Sequence, residues 1–145
     1  MSNFDRALSA ALAVAIIVCT GFIIYLSTTP SANDKFTEFY ILNENGKASA
    51  YPFDVKAGQP VIVMLGVINH EYRPLIYKIQ IKQNGDIIKT VIVGPLQDKQ
   101  KWEEKVDFAV EGSGSSQAEF YLFTDDDKEP HVKDPLILKL NIGNL

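Results

Sequence analysis

The chain begins with a long uncharged segment that determines where the rest of the protein lies. Residues 7–26 read ALSAALAVAIIVCTGFIIYL, twenty residues without a charged side chain. A helix rises 1.5 Å per residue, so this segment spans about 30 Å, the thickness of the bilayer hydrocarbon. We therefore predict one N-terminal transmembrane α-helix, within an anchor region over residues 1–27, that contacts the lipid bilayer through residues 7–26.

The charges beside this helix predict its orientation. Arg6 and the terminal amine lie on the short side, partly offset by Asp5. The positive-inside rule then favours a cytoplasmic N terminus and an extracytoplasmic C-terminal domain. A cleaved signal peptide would need a shorter apolar stretch, and Pro30 occupies the third position before a cut after Ala32. We expect a permanent, single-pass anchor in the cell membrane.

The start of the helix allows a second interpretation. The run Arg6, Ala7, Leu8, Ser9 before a long apolar helix resembles the processing site of archaeal pilins and archaellins. Their apolar helices pack into a filament core beneath β-rich outer domains. On this alternative, removal of Met1 to Arg6 would leave Ala7 as the first residue of a filament subunit.

After the helix the pattern changes to short strands. Residues 28–35 are small or polar and contain a proline, which is typical of a linker. Residues 36–145 hold alternating apolar and polar runs separated by turn residues. We predict an all-β domain, an immunoglobulin-like antiparallel β-sandwich of seven to eight strands. The strands are expected near residues 36–42, 61–68, 75–82, 87–93, 102–110, 118–124 and 136–142, with a weaker extended stretch at 49–55.

Three local predictions follow from residue phase. Residues 61–68 (VIVMLGVI) are apolar at consecutive positions, which is typical of a central strand covered on both sides. Trp102 has the phase of Val106 and Phe108, so we expect it in the core. Residues 111–117 (EGSGSSQ) are predicted to form a flexible turn.

Composition limits the partners of this domain. The formal net charge is −4, and Asp5 and Arg6 cancel, so the soluble part also carries −4. Nucleic-acid binding calls for a basic surface, which this sequence does not provide, so we expect no nucleic-acid partner. The one cysteine, Cys19, lies in the apolar segment and has no partner for an intrachain disulfide.

The sequence gives no catalytic or zinc-binding pattern. The two histidines, His70 and His131, have no further ligands at zinc spacing, and no nucleophile or phosphate-binding motif is present. We expect no enzyme activity, no cofactor and no metal site. The acidic loop at 125–134 offers oxygens to Ca²⁺, but it lacks the alternate spacing and central glycine of a calcium loop. A solvated loop that discourages edge pairing is the favoured interpretation.

One loop holds polar and aromatic side chains that strand phase does not explain. It contains His70, Glu71, Tyr72 and Arg73. Because loops on a rigid scaffold often carry binding residues, these four are the candidate contact residues. The alternative for Arg73 is a structural pairing with Glu71 or a strand carbonyl.

Several short segments resemble family 1616 of the domains of unknown function. They are FTEFYIL at 36–42, NGKA at 45–48, YP at 51–52, VINHEYRP at 67–74, WEE at 102–104 and LKL at 138–140. The resemblance begins near Phe4 and implies an archaeal membrane protein with a C-terminal β-domain. Members of that family often have several membrane helices, whereas one precedes the domain here. The resemblance implies no reaction, ligand or catalytic residue.

These observations predict a non-enzymatic single-pass membrane protein. Its extracytoplasmic β-sandwich would make protein or glycan contacts in the cell envelope. One alternative is a pilin-like filament subunit or a stator-like component associated with the S-layer. Another is an accessory in surface glycan assembly.

Overall fold

The computed structural model describes residues 2–28, 35–52, 54–125 and 127–143. It contains two compact units, one ending at Asp34 and the other beginning at Lys35. The first unit contains a helix and the second is a β-domain. Most of the predicted linker, residues 29–34, lies outside the described residues.

The helix, α1, runs from Asn3 to Thr28 and is longer than the predicted span at both ends. Ser2 caps its start, because the Ser2 Oγ accepts from the Asp5 N–H and the Asp5 carboxylate accepts from the Ser2 N–H. At the other end, the hydroxyls of Ser27 and Thr28 donate to carbonyls one turn earlier. Thr28, predicted as linker, is therefore helical.

The helix is long and apolar enough to cross a membrane. Its 26 residues extend about 39 Å, which exceeds the hydrocarbon thickness. The Thr20 hydroxyl donates to the Ile16 carbonyl, so it does not interrupt the helix. Cys19 is exposed on the helix surface with a free thiol.

The β-domain contains eight described strands, as predicted for a sandwich. They are β1 (Phe36–Asn43), β2 (Asp54–Lys56), β3 (Pro60–His70), β4 (Leu75–Gln83), β5 (Asp86–Leu96), β6 (Lys101–Ala109), β7 (Gly114–Thr124) and β8 (Leu136–Gly143). They form a three-stranded sheet, in the order β1-β3-β6, and a five-stranded sheet, in the order β2-β8-β7-β4-β5. All pairs are antiparallel except the short parallel pair β2–β8.

The core lies between the two sheets. Fully buried aliphatic side chains alternate along the central strands β3, β4 and β7, and Phe108 and Phe120 meet edge-on across the core. Alternation predicts that Leu136, Leu138, Leu140 and Ile142 of β8 point inward. The last three are buried, and Leu136 is partly buried against the core. The immunoglobulin-like sandwich was therefore predictable from strand phase.

Some local predictions differ from the structure. Of the described residues in the weak stretch at 49–55, only Asp54 and Val55 belong to a strand, β2, which ends at Lys56. The predicted turn at 111–117 is shorter, because β7 already begins at Gly114, where pairing with β8 extends the strand. Strand β3 is central in its sheet, but Ile62, Met64 and Ile68 on its outer face are only half-buried. Trp102 is likewise half-buried and packs against the edge of the core.

One residue on the outer face of β3 is buried for a specific reason. Gly66 lies beneath the ring of Tyr40 on the neighbouring strand, and a Cβ at this position would overlap the ring atoms. The Tyr40 hydroxyl donates to Glu103, on the other side of β3. Burial and the Glu103 carboxylate raise the pKa of Tyr40 to about 12. Tyr40 thus closes the space above a glycine in a central strand.

Candidate functional site

The predicted contact loop lies at the end of the domain where the chain enters from the linker. Phe36, the first residue of β1, pairs with His70, the last residue of β3. We call this end of the sandwich the linker end. The loop after β3 lies beside the loop after β5, because the Lys99 N–H donates to the Asn69 carbonyl and the Tyr72 N–H to the Asp98 carboxylate.

Asn69 holds the linker end together. Its side chain is fully buried, and its Nδ2 donates to the carbonyls of Arg73 and Leu96. Its Oδ1 accepts from the backbone N–H of Glu71. One asparagine therefore satisfies three backbone groups in two loops, which sequence phase alone did not indicate.

His131 lies between two carboxylates. Its Nδ1 is 2.6 Å from the Asp127 Oδ2, and its Nε2 is 2.9 Å from the Glu71 Oε1. Asp127 belongs to the loop between β7 and β8, whereas Glu71 belongs to the loop after β3. The imidazole thus connects two loops that are about 60 residues apart in the chain.

Hydroxyl groups also bind the two carboxylates that contact His131. Thr37 donates to Glu71 and contacts the hydroxyl of Tyr77, and Thr124 donates to Asp127. The Thr124 hydrogen bond and His131 lower the pKa of Asp127, against the effect of burial. Burial and the nearby Glu71 raise the pKa of Tyr77.

Most of the predicted contact residues are used within the domain. His70 stacks on Phe36 and is hydrogen-bonded to Glu38, and Glu71 is bonded to Thr37 and His131. Arg73 is exposed, and its carbonyl accepts from Asn69. Tyr72 is the member of the loop with a large exposed apolar side chain. The structure therefore brings these four residues together at the linker end, where most of their contacts are with other residues of the domain.

The acidic loop does not gather its carboxylates into one site. Asp127 is bonded to Thr124 and His131, whereas Asp125 and Asp134 are exposed. Among the described residues, which exclude Asp126, no three His, Cys, Asp or Glu side chains are placed to hold a metal ion. The residues of the candidate processing site, Arg6 and Ala7, lie inside the continuous helix α1.

The most exposed apolar surface of the β-domain is the outer face of the five-stranded sheet. Four isoleucines there are 39–63% exposed: Ile76, Ile87, Ile92 and Ile137. Tyr121 and Phe123 lie between them, half-buried, on β7. We call these six residues the isoleucine face. Isolated apolar residues are ordinary on surfaces, whereas several exposed isoleucines on one face of one sheet make that face a candidate contact surface.

Register brings these residues into cross-strand rows. Lys78 lies between Ile92 and Phe123, and Lys82 lies between Ile87 and Glu119. Glu119 pairs in turn with Ile137. The sequence analysis did not predict this surface, because it took the strand positions that face away from the core to be solvent-exposed and polar. The feature that could have indicated it is isoleucine at four of these outward positions, among lysines and glutamines.

Lysine side chains cover the aromatic rings of this face. The Lys78 Nζ lies 5.0 Å from the centre of the Phe123 ring, and the Lys82 Nζ lies 4.7 Å from that of Tyr121. The Tyr121 hydroxyl donates to Glu119. Lys139 on β8 also borders the face, and the exposed Asp125 lies beside Ile76, to whose carbonyl its N–H donates. The charges at this face are therefore mixed, with three lysines against Glu119 and Asp125.

Fold and helix together define the class: a membrane-anchored protein with an immunoglobulin-like β-sandwich. The comparisons with known proteins agree with this class. The family described as "Domain of unknown function (DUF1616)" matches residues 30–142, and the chain belongs to that family. The predicted family is thereby confirmed over the β-domain. None of the curated protein sequences matches the chain.

Solved structures share the fold at low sequence identity. The CARDB domain of the PF1109 protein from Pyrococcus furiosus, solved in complex with di-metal ions, aligns with a TM-score of 0.55 and 11% identity, over 80% of this chain and 95% of that one. A β-glucosidase from Listeria innocua aligns with a TM-score of 0.51 and 10% identity, over 75% of this chain but only 16% of the enzyme. These similarities concern the fold alone.

Proposed function

We propose that this chain is a non-enzymatic, single-pass membrane protein whose extracytoplasmic β-sandwich binds an envelope protein through the isoleucine face. The observation that carries the proposal is the exposure of four isoleucines, Ile76, Ile87, Ile92 and Ile137, on the outer face of one sheet. Burying that surface against a partner is favourable at about 25 cal/mol per Å². The helix α1 supplies the membrane attachment.

The lysines of this face indicate the chemistry of the partner. Lys78, Lys82 and Lys139 outnumber Glu119 and Asp125, so an acidic surface with apolar groups would be complementary. A second copy of the same face would instead meet it with like charge. The partner that fits best is a protein with an acidic, partly apolar surface.

The aromatic rings favour a protein over a glycan. A sugar ring stacks on an aromatic side chain only where a ring face is open. Here Lys78 and Lys82 lie over the Phe123 and Tyr121 rings. The isoleucines that surround these rings are suited to the aliphatic side chains of a protein.

Photo-crosslinking from the native envelope tests this proposal. A photoreactive phenylalanine analogue replaces Ile92 or Ile137 in the full chain. The matched control replaces Lys105, which is exposed on the outer face of the other sheet. We expect protein adducts from the first two positions and none from Lys105. The crosslinked peptide should contain acidic and apolar residues.

Charge variants connect the adduct to the proposed chemistry. Lys78→Glu with Lys82→Glu should abolish the adduct. Lys47→Glu with Lys105→Glu, at two exposed lysines outside the isoleucine face, should leave the adduct unchanged when variants of equal melting temperature are compared. A carbohydrate adduct would show that the partner is a glycan and would contradict the proposed protein partner. Adducts mainly with copies of this chain would favour the filament subunit. Equal labelling from all three crosslinker positions would refute the isoleucine face as a binding surface.

A further inference from the structure

The histidine bridge at the linker end has a chemical property that goes beyond the proposed binding function. Both ring nitrogens of His131 lie within hydrogen-bond distance of carboxylate oxygens, one on Asp127 and one on Glu71. An imidazolium donates from both nitrogens, but a neutral imidazole donates from one and presents a lone pair at the other. The full bridge therefore exists only when the ring is protonated.

The surroundings of the ring are predominantly acidic. Glu71 faces it from the loop after β3, Asp127 from its own loop, and the Tyr77 ring on β4 meets it edge-on at 6.5 Å. Thr37 of β1 and Thr124 of β7 supply neutral hydroxyls to the two carboxylates. Of the basic side chains, Arg73 acts electrostatically on Tyr77, and Lys128 and Lys133 of the same loop as His131 are exposed.

The two contacts of the His131 ring respond differently when the ring loses a proton. Asp127 lies four residues from His131 in the same loop, and the shorter contact, 2.6 Å, joins them. A neutral ring would keep its proton there, and its Nε2 lone pair would then face the Glu71 oxygen. Two acceptors at 2.9 Å repel each other, so the contact between the two loops is the one that would be lost.

We propose that His131 is a proton-operated latch that fastens the loop at residues 127–135 to the loop after β3. Protonation of the ring closes the latch onto Glu71, and deprotonation releases it. Histidine is the side chain that ordinarily changes charge between pH 5 and 8, so the contact between the two loops depends on pH. That this pH is the one outside the cell rests on the proposed extracytoplasmic position of the domain. Because Glu71 also binds Thr37, the latch acts where the linker enters the domain.

Hydrogen exchange measured on the full chain in lipid nanodiscs tests the latch. We expect protection of the amides at 127–135, corrected for intrinsic exchange, to fall by about tenfold to a hundredfold between pH 5.5 and 8.5, as for loss of one charge-assisted hydrogen bond. The backbone bond from the His131 N–H to the Leu122 carbonyl is the reporter. The core amides of β4 should not change.

The second histidine is a matched control. His70 is hydrogen-bonded to a single carboxylate, Glu38. His131→Gln, which cannot gain a proton, should abolish the pH dependence, whereas His70→Gln should retain it. Constant protection in the unaltered chain, or an unchanged pH dependence in His131→Gln, would refute the latch.

A measurement on the unaltered chain covers the case in which His131→Gln fails to fold. Nitrogen NMR of ¹⁵N-labelled histidine follows the protonation of each ring nitrogen. The loss of the Nε2 proton should coincide with the fall in loop protection. Different midpoint pH values for the loss of the Nε2 proton and for the fall in loop protection would contradict the proposal.

Discussion

The packing of Tyr40 over Gly66 gives a quantitative prediction. In Gly66→Ala, the new Cβ would overlap the Tyr40 ring, so the ring has to leave its position. A tyrosine side chain buries about 200 Å² when fully covered, and Tyr40 is half-buried, so about 100 Å² would be exposed. At about 25 cal/mol per Å² this costs about 2.5 kcal/mol. Loss of the hydrogen bond to Glu103 adds about 1 kcal/mol.

We therefore expect Gly66→Ala to lower the free energy of unfolding by about 3.5 kcal/mol. Urea unfolding of the full chain in mild detergent, followed by the fluorescence of Trp102, measures this change; Trp102 is the one tryptophan of the chain. Tyr40→Ala provides the background for a double-mutant cycle. There the methyl group of Gly66→Ala meets no ring, and alanine is slightly preferred to glycine in a strand.

The two substitutions should therefore be strongly coupled. The double variant should be about as stable as Tyr40→Ala alone, so the coupling energy should equal the effect of Gly66→Ala in the unaltered chain, about 3.5 kcal/mol. A Gly66→Ala variant destabilised by less than about 0.5 kcal/mol would refute the reasoning. So would full additivity of the two changes.

Three further predictions concern other parts of the chain. Asn69→Ala removes three hydrogen bonds between a fully buried side chain and the backbone, and should lower the free energy of unfolding by about 3 kcal/mol in the same urea assay. An effect below about 1 kcal/mol would contradict the role given to Asn69. Because the pKa of Asp127 is lowered in the folded protein, its ionised carboxylate stabilises the fold above the pKa of an unfolded aspartate. This contribution is lost as the pH falls through the pKa of Asp127 in the folded protein. Thermal melts should therefore show that Asp127→Asn lowers the stability of the domain at about pH 7 and makes no difference near about pH 2. Ile17→Arg places a charge at mid-helix at a cost of about 3 kcal/mol, so the fraction resistant to carbonate extraction should fall, while Lys35→Arg should not change it.

The fold was predictable because strand phase and turn residues are local properties. The hairpin at Asn84 and Gly85 and the inward residues of β8 follow from alternation alone. The parallel pairing of β2 with β8 depends on contacts between residues almost 90 positions apart, which no local pattern contains. The extension of β7 to Gly114 has the same cause, since β8 supplies the pairing that a glycine-rich segment lacks by itself.

The site was less predictable for a different reason. The sequence correctly indicated that polar residues gather in the loop after β3, but their partners come from β1 and from the loop before β8. The role of His131 therefore depends on tertiary contacts. The isoleucine face required the register of β4, β5, β7 and β8, since its residues lie on four different strands.

Labelling of engineered cysteines in whole cells most directly tests the central claim, a β-domain displayed outside the cytoplasm by one uncleaved helix. Asn3→Cys, at the start of α1, and Ser113→Cys, in the exposed turn before β7, are placed on opposite sides of the predicted membrane span. Native Cys19 lies within α1 and serves as the lipid-embedded reference. With a membrane-impermeant maleimide, Ser113→Cys should react in intact cells, and Asn3→Cys only after lysis, each on a chain of full mass. The reverse labelling pattern would contradict the orientation, and a chain that has lost residues 1–6 would contradict the permanent anchor.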